Sequence, residues 1–370
     1  MGVKEIDFVS VVVGSGFMGR VHTEALRRLG SIEVIPASGT DEQTLRDLLE
    51  RQVDAVDAVH ICTPNASHFW IAKLALEAGK HVLCEKPLAT SVHDATALVE
   101  LAKARNCRNC TCHNLRYYPM VQHMRRMRED GDLGDILVVQ GTYSQDWLLY
   151  DTDWNWRVTS TDGGPSRALA DIGSHWCDMA EHVTGQRITS LCADLQTFHK
   201  SRKKPKAAVE TFSRTSSQAY ETVAVDSEDF GAVVFRMGNR ARGSFTASQV
   251  SAGRKNRLSI EIYGTKSGVA WDQERPDELW IGNRNTNNQV IIKDPALLKE
   301  GARLYADLPG GHSEGYDDTF KQVFRRFYAS IENRDAEPEY PQFADGLRQL
   351  NILEAALASH QRHGWMEVPS

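Results

Sequence analysis

The sequence lacks any apolar run near the ~18 residues of a membrane-spanning helix, so we expect no membrane partner. It also lacks a long basic run, and the chain of 370 residues carries a formal net charge of −6. These two absences argue against binding of nucleic acid or of an anionic membrane surface. The first residues include Lys4, Glu5 and Asp7 rather than the apolar core of a secretory signal, so we expect a cytoplasmic protein.

The sequence has only seven cysteines, an odd number that argues against a disulfide framework. Three of them fall between Cys107 and His113, a spacing that invites a zinc site. A zinc cluster usually needs a second ligand pair at a defined spacing, and we find none in the sequence. We therefore predict that Cys110 and Cys112 are buried on a strand and that the protein holds no metal.

Strands and helices alternate in the first third of the chain, which predicts a parallel, doubly wound sheet. The predicted strands are 6–13, 32–37, 55–62, 81–84 and 109–113, and the predicted helices are 20–29, 42–51, 67–78 and 91–104. Only one helix fits between the second and third strands, with Thr40 or Asp41 as its cap. We find no internal repeat.

Beyond about residue 130 strands follow one another, which predicts a mostly antiparallel sheet. The predicted strands are 136–143, 190–197, 230–235, 241–250, 258–263 and 278–281, followed by helices 314–332 and 342–363. The polar stretch 199–227 is predicted to be an exposed, mobile loop. The predicted fold class is thus α/β plus α+β. We expect a Rossmann-type dinucleotide-binding domain in 1–120, a sheet domain for substrate binding and oligomerisation in 121–340, and a C-terminal helix in 341–370 that packs back on the first domain.

A glycine-rich loop follows the first predicted strand and opens a helix, in the pattern Gly14-x-Gly16-x-x-Gly19. In a strand–helix–strand unit this pattern indicates a dinucleotide site. The first glycine permits the tight turn, the second lets the backbone approach the pyrophosphate, and the third allows close packing of helix on strand. The helix N-terminus favours the negative charge of the phosphates.

The residue that chooses between NAD and NADP is not evident. An acid is expected ~20 residues beyond the glycine loop, where it binds the ribose hydroxyls. Ser38 occupies that place, and Asp41 falls at the start of the next helix. The sequence between Gly30 and Leu45 has no Arg or Lys that would pair with a 2′-phosphate. We expect NAD to be modestly preferred over NADP.

Three residues form a candidate set for proton transfer at an alcohol or carbonyl carbon. Lys86 follows a predicted parallel strand, at the end of the sheet where ligands bind. Asp171 and His175 stand four residues apart and share one side if the segment is helical. A lysine or a neutral histidine can accept the hydroxyl proton when a hydride leaves the same carbon. Alternatively, Lys86 is a solvated surface lysine, and Asp171 caps a helix on which His175 packs.

Eight short motifs, in this order, resemble those of the Gfo/Idh/MocA family. They are Gly14 to Gly19, Thr63-Pro64-Asn65 with His68, Glu85-Lys86-Pro87, Arg116-Tyr117-Tyr118-Pro119, Trp156-Arg157, Gly163-Gly164, Asp171 to His175 with Asp178, and Tyr263-Gly264-Thr265. The resemblance runs from about residue 7 to the C-terminus. It differs in one respect, because family members usually have a second helix and an edge strand where this chain has room for one helix.

The resemblance implies an NAD(P)-dependent oxidoreductase that acts on a secondary alcohol or ketone of a sugar, anhydrosugar or polyol. It implies that Lys86, Asp171 and His175 surround the reacting carbon and that the C-terminal sheet forms a homo-oligomer, a dimer or tetramer. The implied cofactor-binding residues are Gly14, Gly16, Phe17, Met18, Gly19, Ser38, Thr63, Pro64, Asn65, His68, Glu85, Lys86, Asn114 and Arg157. The implied substrate-binding residues are Lys86, Arg116, Tyr143, Trp147, Trp156, Asp171, His175 and His312.

A narrower likeness is to sugar and anhydrosugar dehydrogenases of the levoglucosan dehydrogenase type. It rests on the segments 141–147 and 309–315. In this interpretation Trp147 and Trp156 stack on a sugar ring and His312 bonds a hydroxyl, although both tryptophans would equally suit core packing. Two other functions on the same scaffold stay open: NAD-assisted glycoside cleavage, and dinucleotide sensing without catalysis.

Overall fold

The structure, a computed structural model, describes residues 7–37, 41–51, 55–206 and 219–369, without the side chains of residues 50 and 51. The first elements are β1 (Phe8–Val13), α1 (Phe17–Leu29), β2 (Ile32–Ala37), α2 (Glu42–Arg51), β3 (Ala58–Ile61), α3 (His68–Glu77), β4 (His81–Cys84), α4 (Val92–Ala104) and β5 (Asn109–Thr111). Ser38, predicted to contact the adenosine ribose, lies outside the described residues.

The remaining elements alternate less regularly. They are α5 (Pro119–Glu129), β6 (Ile136–Ser144), α6 (Ser160–Gly163), a π-helical turn (Leu169–Gly173), α7 (Ser174–Thr184), β7 (Ile188–Gln196), β8 (Ser201–Pro205), β9 (Tyr220–Ala224), β10 (Phe230–Met237), β11 (Ala241–Ser248), β12 (Arg257–Gly264), β13 (Gly268–Asp272), β14 (Glu278–Gly282), β15 (Gln289–Ile292), α8 (Tyr316–Glu332), α9 (Phe343–Arg362) and β16 (Met366–Glu367). Short 3₁₀ turns stand at Asn65–Ser67, Asn114–Tyr117, Trp156–Val158 and Arg303–Tyr305.

The chain folds into two compact units, each built from separate stretches of sequence. The first draws on the described residues of Met1–Asn114, Thr161–Gly164 and Asp317–Leu350. The second draws on those of Leu115–Ser160, Pro165–Tyr316 and Asn351–Ser370. Helix α9 is thus divided between them after Leu350.

The first unit contains a parallel sheet of five strands in the order β2-β1-β3-β4-β5. Strand β1 reads FVSVVV and its last four residues are buried, as expected for a strand covered on both faces. The structure confirms the predicted parallel sheet. In the described part of the connection from β2 to β3 there is one helix, α2, and the Asp41 carboxylate caps it by accepting from the Thr44 N–H at 2.8 Å.

The second unit contains a sheet of nine strands in the order β15-β14-β13-β12-β6-β11-β10-β7-β16. All neighbouring strands are antiparallel except β6 and β11, which confirms the predicted mostly antiparallel sheet. Helix α7 covers one face of this sheet through Trp176, whose ring stacks on Phe245 at 4.5 Å between centroids. The Trp176 N–H donates to the Ser259 carbonyl, so the buried indole keeps a polar partner.

The prediction of a mobile loop over 199–227 is wrong where the structure describes this stretch. Strands β8 and β9 pair there as an antiparallel ribbon. Arg202 on β8 is fully buried and donates to the carbonyls of Leu148, Tyr150 and Asp153 and to the Asp229 carboxylate. The basic residues of this stretch predict exposure to solvent. The Arg202 guanidinium is instead buried among hydrogen-bond acceptors, and these bonds attach the ribbon to the rest of the second unit.

Within the described ranges, the structure has no helix that is both long and apolar enough to cross a membrane.

Candidate functional site

The glycine loop lies between β1 and α1 in the first unit, and two of its glycines are sterically required. Gly14 has φ +114°, and a Cβ there would lie 2.7 Å from the Cys62 carbonyl oxygen. A Cβ on Gly19 would lie 1.8 Å from the Gly14 carbonyl oxygen. A Cβ on Gly16 would meet no protein atom within 4 Å. The outer glycines therefore fold the loop, and the middle one leaves space beside its backbone.

This loop fits the pyrophosphate of a dinucleotide. Helix α1 begins at Phe17, followed by Met18, and its first turn carries no acidic side chain to repel a phosphate. The backbone N–H groups of a helix N-terminus are suited to binding an anion, and Gly16 leaves space beside this one. The residues of the first unit thus fit an NAD-type cofactor at this loop.

The loop after β3 carries the predicted residues Thr63, Pro64 and Asn65. The Thr63 hydroxyl accepts from the Ser67 hydroxyl at 2.7 Å, and Pro64 is exposed. Asn65 is buried and donates to the Gly163 carbonyl at 2.9 Å. The carboxyl end of β3 lies beside the glycine loop, because the Cys62 carbonyl group lies against Gly14.

His68, predicted to line the cofactor, is buried at the start of α3. Its Nδ1 lies 2.7 Å from the Pro87 carbonyl oxygen and its Nε2 lies 2.9 Å from the Thr63 carbonyl oxygen. Burial lowers the pKa of His68, and the two carbonyl oxygens oppose that shift. The geometry favours a role in which His68 ties the loop after β3 to the loop after β4.

Glu85 and Lys86 follow β4 at the same end of the parallel sheet. Glu85 is buried, and its Oε1 lies 3.0 Å from His22 Nε2. Lys86 is half-buried, which argues against the alternative of a fully solvated lysine. Asn114, after β5, donates to the Thr319 hydroxyl at 2.7 Å. Most predicted cofactor residues of the first unit therefore gather at the carboxyl ends of β1, β3, β4 and β5.

Asp171 anchors the candidate site of the second unit. It lies in the π-helical turn, and its two carboxylate oxygens accept from different side chains. Arg157 Nε donates to Oδ1 at 3.2 Å, and Gln249 Nε2 donates to Oδ2 at 2.8 Å. The same guanidinium donates to Asn155 and lies over the Trp156 ring, 4.2 Å from its centroid. Asp171 is therefore held as an oriented, partly buried anion.

His175 lies in the first turn of α7, one turn after Asp171, and is buried. Its ring centroid is 6.4 Å from that of Tyr143 on β6. Burial, with the nearby Tyr118 and Asp171, raises the pKa of Tyr143, so this phenol stays protonated and serves as a hydrogen-bond donor. The structure thus brings Asp171, His175 and Tyr143 into one polar cluster of the second unit.

The other predicted substrate-binding residues differ in burial and in their hydrogen-bond partners. Arg116 forms a bidentate ion pair with Asp178 at 2.7 and 2.5 Å, which fixes the 3₁₀ turn against α7. Trp147 is half-buried and donates to the Gln145 side chain at 2.8 Å. His312 is exposed on the 309–315 loop, where its carbonyl accepts from the buried Lys293 ammonium at 2.7 Å.

The cysteines that invited a zinc site are buried, and burial raises the pKa of Cys107 and Cys112. The thiolate is the form that binds zinc, so burial opposes metal binding. Among the described residues, His22, Glu85 and Cys112 each place one ligand atom within 4.8 Å of the others. This set is already joined by hydrogen bonds, from His22 to Glu85 and between Glu85 and Cys112.

We expect elemental analysis of the purified protein to find no stoichiometric zinc, because the buried thiols resist deprotonation. The measurement is metal content per chain, in the native protein and in Cys110→Ser and Cys112→Ser variants. One zinc per chain in the native protein, lost in either variant, would contradict the prediction.

Two family profiles match this chain. One, described as "Oxidoreductase family, NAD-binding Rossmann fold", covers residues 8–113, and "GFO/IDH/MocA C-terminal domain" covers residues 121–270. The chain belongs to the Gfo/Idh/MocA family. It is therefore an oxidoreductase with an NAD-binding Rossmann domain, which confirms the resemblance inferred from the motifs.

One relative and two solved structures match nearly the whole chain. Levoglucosan dehydrogenase of Pseudarthrobacter phenanthrenivorans is 28% identical over 97% of this chain and 97% of its own. A structure of levoglucosan dehydrogenase with NADH and L-sorbose superposes with a TM-score of 0.84, at 28% identity over 98% of this chain and 99% of that one. An inositol dehydrogenase homologue from Azotobacter vinelandii, with NAD⁺, gives a TM-score of 0.85, at 26% identity over 99% and 100%.

Sequence reasoning missed several residues of this Gfo/Idh/MocA oxidoreductase. Gln249 was counted only as part of a predicted strand, and nothing in its neighbourhood indicated a partner for Asp171. His22 and His60 sit in segments whose periodicity predicts a helix and a buried strand. The sequence does indicate that a histidine in a buried strand, such as His60, needs a polar partner. It does not indicate which residue that partner is.

Proposed function

We propose that this oxidoreductase oxidises a secondary alcohol of a sugar, anhydrosugar or polyol and transfers the hydride to NAD. The observation that carries the proposal is the Asp171 cluster, in which Arg157 and Gln249 hold a carboxylate one helical turn before His175. The relatives named for levoglucosan and inositol support the substrate class. When bound, NAD supplies the hydride acceptor.

The protein residues have distinct roles in this proposal. His175 or Lys86 accepts the hydroxyl proton as the C–H bond gives up its hydride, which balances charge and atoms in the oxidation. Asp171 orients the reacting hydroxyl, because both of its oxygens are fixed by Arg157 and Gln249. The half-buried indoles of Trp147 and Trp156 offer apolar ring faces suited to a sugar, and the Tyr143 phenol donates to Asn256 at 2.8 Å.

We propose the first unit as the cofactor domain and the second as the substrate and oligomerisation domain. Exposed apolar side chains on strands of the nine-stranded sheet support a homo-oligomer formed through that sheet; they are Val138, Val234, Val290 and Ile292. The cytoplasm stays our proposed compartment.

We expect NAD to be preferred over NADP, but only modestly. Asp41 caps a helix, so among the described residues we assign no acid to the repulsion of a 2′-phosphate, and the sequence between Gly30 and Leu45 has no basic residue to pair with one. A phosphate dianion without a partner is costly in a partly buried site. Ser38→Asp should strengthen the preference by adding repulsion. The ratio of kcat/KM values for the two cofactors measures both effects, and a strong native NADP preference would contradict this prediction.

A dehydrogenase screen tests the proposed function. The enzyme is incubated with NAD or NADP and with levoglucosan, L-sorbose, myo-inositol and other sugars and polyols, and the absorbance of the reduced nicotinamide is followed. We expect reduction with at least one sugar or polyol. Binding of NADH without turnover of any of them would favour a non-catalytic sensor, and cleavage of a glycoside without net NAD reduction would favour a hydrolase.

A further inference from the structure

A chain of hydrogen bonds runs through the core of the first unit and ends on Glu85. His22 Nε2 lies 3.0 Å from Glu85 Oε1, and His22 Nδ1 lies 3.1 Å from His60 Nδ1. His60 Nε2 lies 2.9 Å from the Tyr328 hydroxyl, which in turn bonds the Ser10 hydroxyl. The chain therefore links α1, β3, α8 and β1 to the loop after β4.

Every member of this chain is buried. Ser10, His22 and His60 have no exposed surface, and Tyr328 is 4% exposed. Phe324 packs edge-on against both imidazoles, with ring centroids 4.8 Å from each. Because water cannot satisfy these polar atoms, each depends on its neighbour in the chain, and a missing member would leave an unsatisfied group.

The chain can carry its protons in two arrangements. In one, Ser10 donates to Tyr328, Tyr328 to His60 Nε2, and the His60 Nδ1–H to His22 Nδ1. In the other, the His22 Nδ1–H donates to His60 Nδ1, the His60 Nε2–H donates to the Tyr328 oxygen, and the neutral His22 carries no proton on Nε2. The first arrangement is the one in which the His22 Nε2–H donates to Glu85, and this bond helps to lower the pKa of the Glu85 carboxyl.

The ionisable groups that face Glu85 come from every element around it. They are His22 on α1, Cys62 after β3, His68 on α3, Cys84 on β4, Lys86 next in sequence and Cys112 after β5. Burial by itself would raise the pKa of Glu85, but the bond from His22, assisted by Lys86 and Cys112, brings the pKa below its ordinary value. Glu85 is therefore a buried carboxylate kept ionised by its partners.

We propose that His22 and His60 are positioning residues that hold Glu85 in one orientation and so fix Lys86 for the hydride transfer. This inference rests on the proposed function and deepens it, because it assigns the buried face of the first unit a part in the reaction. Ser10 closes the far end of the chain inside the core. The chain thus acts as a brace for Glu85 rather than as a path for protons to solvent.

The brace can be tested by removing and then restoring the donor to Glu85. His22→Leu substitutes an apolar side chain of comparable size and removes the donor, whereas His22→Gln offers an amide N–H near the place of Nε2. Tyr328→Phe keeps the ring and removes the hydroxyl. His123→Gln is the control, since this buried histidine accepts from the Lys299 backbone N–H in the second unit. The readouts are kcat, KM, the pH profile of kcat/KM and the pH dependence of the NADH dissociation constant.

We expect His22→Leu to lower kcat on the order of 10-fold to 100-fold, with little change in the KM of the sugar. Loss of the donor raises the pKa of Glu85, so the acid limb of kcat/KM and of NADH binding should move to higher pH. His22→Gln should restore part of both effects. Tyr328→Phe should shift the same limb by less, and His123→Gln should leave it unchanged.

A purely structural role predicts a different outcome. If His22→Leu and Tyr328→Phe lower only the melting temperature and leave kcat and both acid limbs as in the native enzyme, the proposal is overturned. Stoichiometric zinc that is lost in His22→Leu would also overturn it, since His22, Glu85 and Cys112 would then be a metal site. If the native enzyme turns over no sugar or polyol, the proposed function fails, and the NADH titration still decides whether His22 braces Glu85.

Discussion

Lys86→Ala should lower kcat by ~10²–10⁴-fold, the usual contribution of a general acid or base. Lys86 leaves the parallel sheet at the carboxyl end of β4, half-buried, directly after the braced Glu85. The loss should appear in kcat because we propose that Lys86 acts on the proton that moves during hydride transfer. NADH affinity should stay within a few-fold, since the glycine loop is untouched. Steady-state kinetics and a fluorescence titration with NADH measure the two quantities.

Two companion variants and one control sharpen this test. His175→Ala should lose activity on a similar scale, and Asp171→Asn should be impaired because Arg157 would face a neutral amide. Lys73→Ala is the matched control, since Lys73 lies exposed on α3 beside Glu77. An unchanged kcat in Lys86→Ala would remove Lys86 from the chemistry, and a loss of NADH binding in that variant would make it a cofactor ligand instead.

Gly19→Ala should weaken NADH binding by more than ~10-fold and also lower stability by ~1–3 kcal/mol, the usual range for overpacking. Its methyl group would lie 1.8 Å from the Gly14 carbonyl oxygen, so the first turn of α1 must move away from the loop. That movement displaces the backbone N–H groups that we expect to hold the pyrophosphate. NADH titration and thermal denaturation measure the two effects.

Gly16→Ala separates the cofactor from the fold. Its methyl group meets no protein atom within 4 Å, so the melting temperature should stay near that of the native enzyme. NADH affinity should nevertheless fall, because the methyl group would occupy the space that the pyrophosphate needs. Native NADH affinity in both glycine variants would contradict the assignment of this loop.

Most helices and strands could be predicted from the sequence, because the periodicity of apolar residues is strong in buried elements. The strand 32–37 and the helix 42–51 have the predicted bounds. Helix α5 and strands β13 and β15 were missed, since α5 follows a motif read only for its chemistry and the two strands are short. The ribbon of β8 and β9 was missed because its basic residues resembled a solvated loop.

The candidate site was predictable only where a motif gives both residue types and spacing. The glycine loop could be predicted because its three glycines stand at a fixed spacing within one strand–helix turn, where Gly19 packs against the Gly14 carbonyl. The partners of Asp171 could not be predicted in this way, because Gln249 lies 78 residues away, directly after β11. The hydrogen-bond chain that holds Glu85 is harder still to predict from the sequence, since Tyr328 and His60 are 268 residues apart and come into contact only in the folded core.

The most direct test of the account follows the hydride itself. A sugar or polyol that the enzyme oxidises is prepared with deuterium at its carbinol carbons and incubated with the native enzyme and NAD. We predict that one deuterium per turnover appears in the nicotinamide ring of the isolated NADH, together with the oxidised sugar. Product formed without accumulation of labelled NADH, with the deuterium exchanged into water, would contradict a dehydrogenase and indicate that any oxidation is transient.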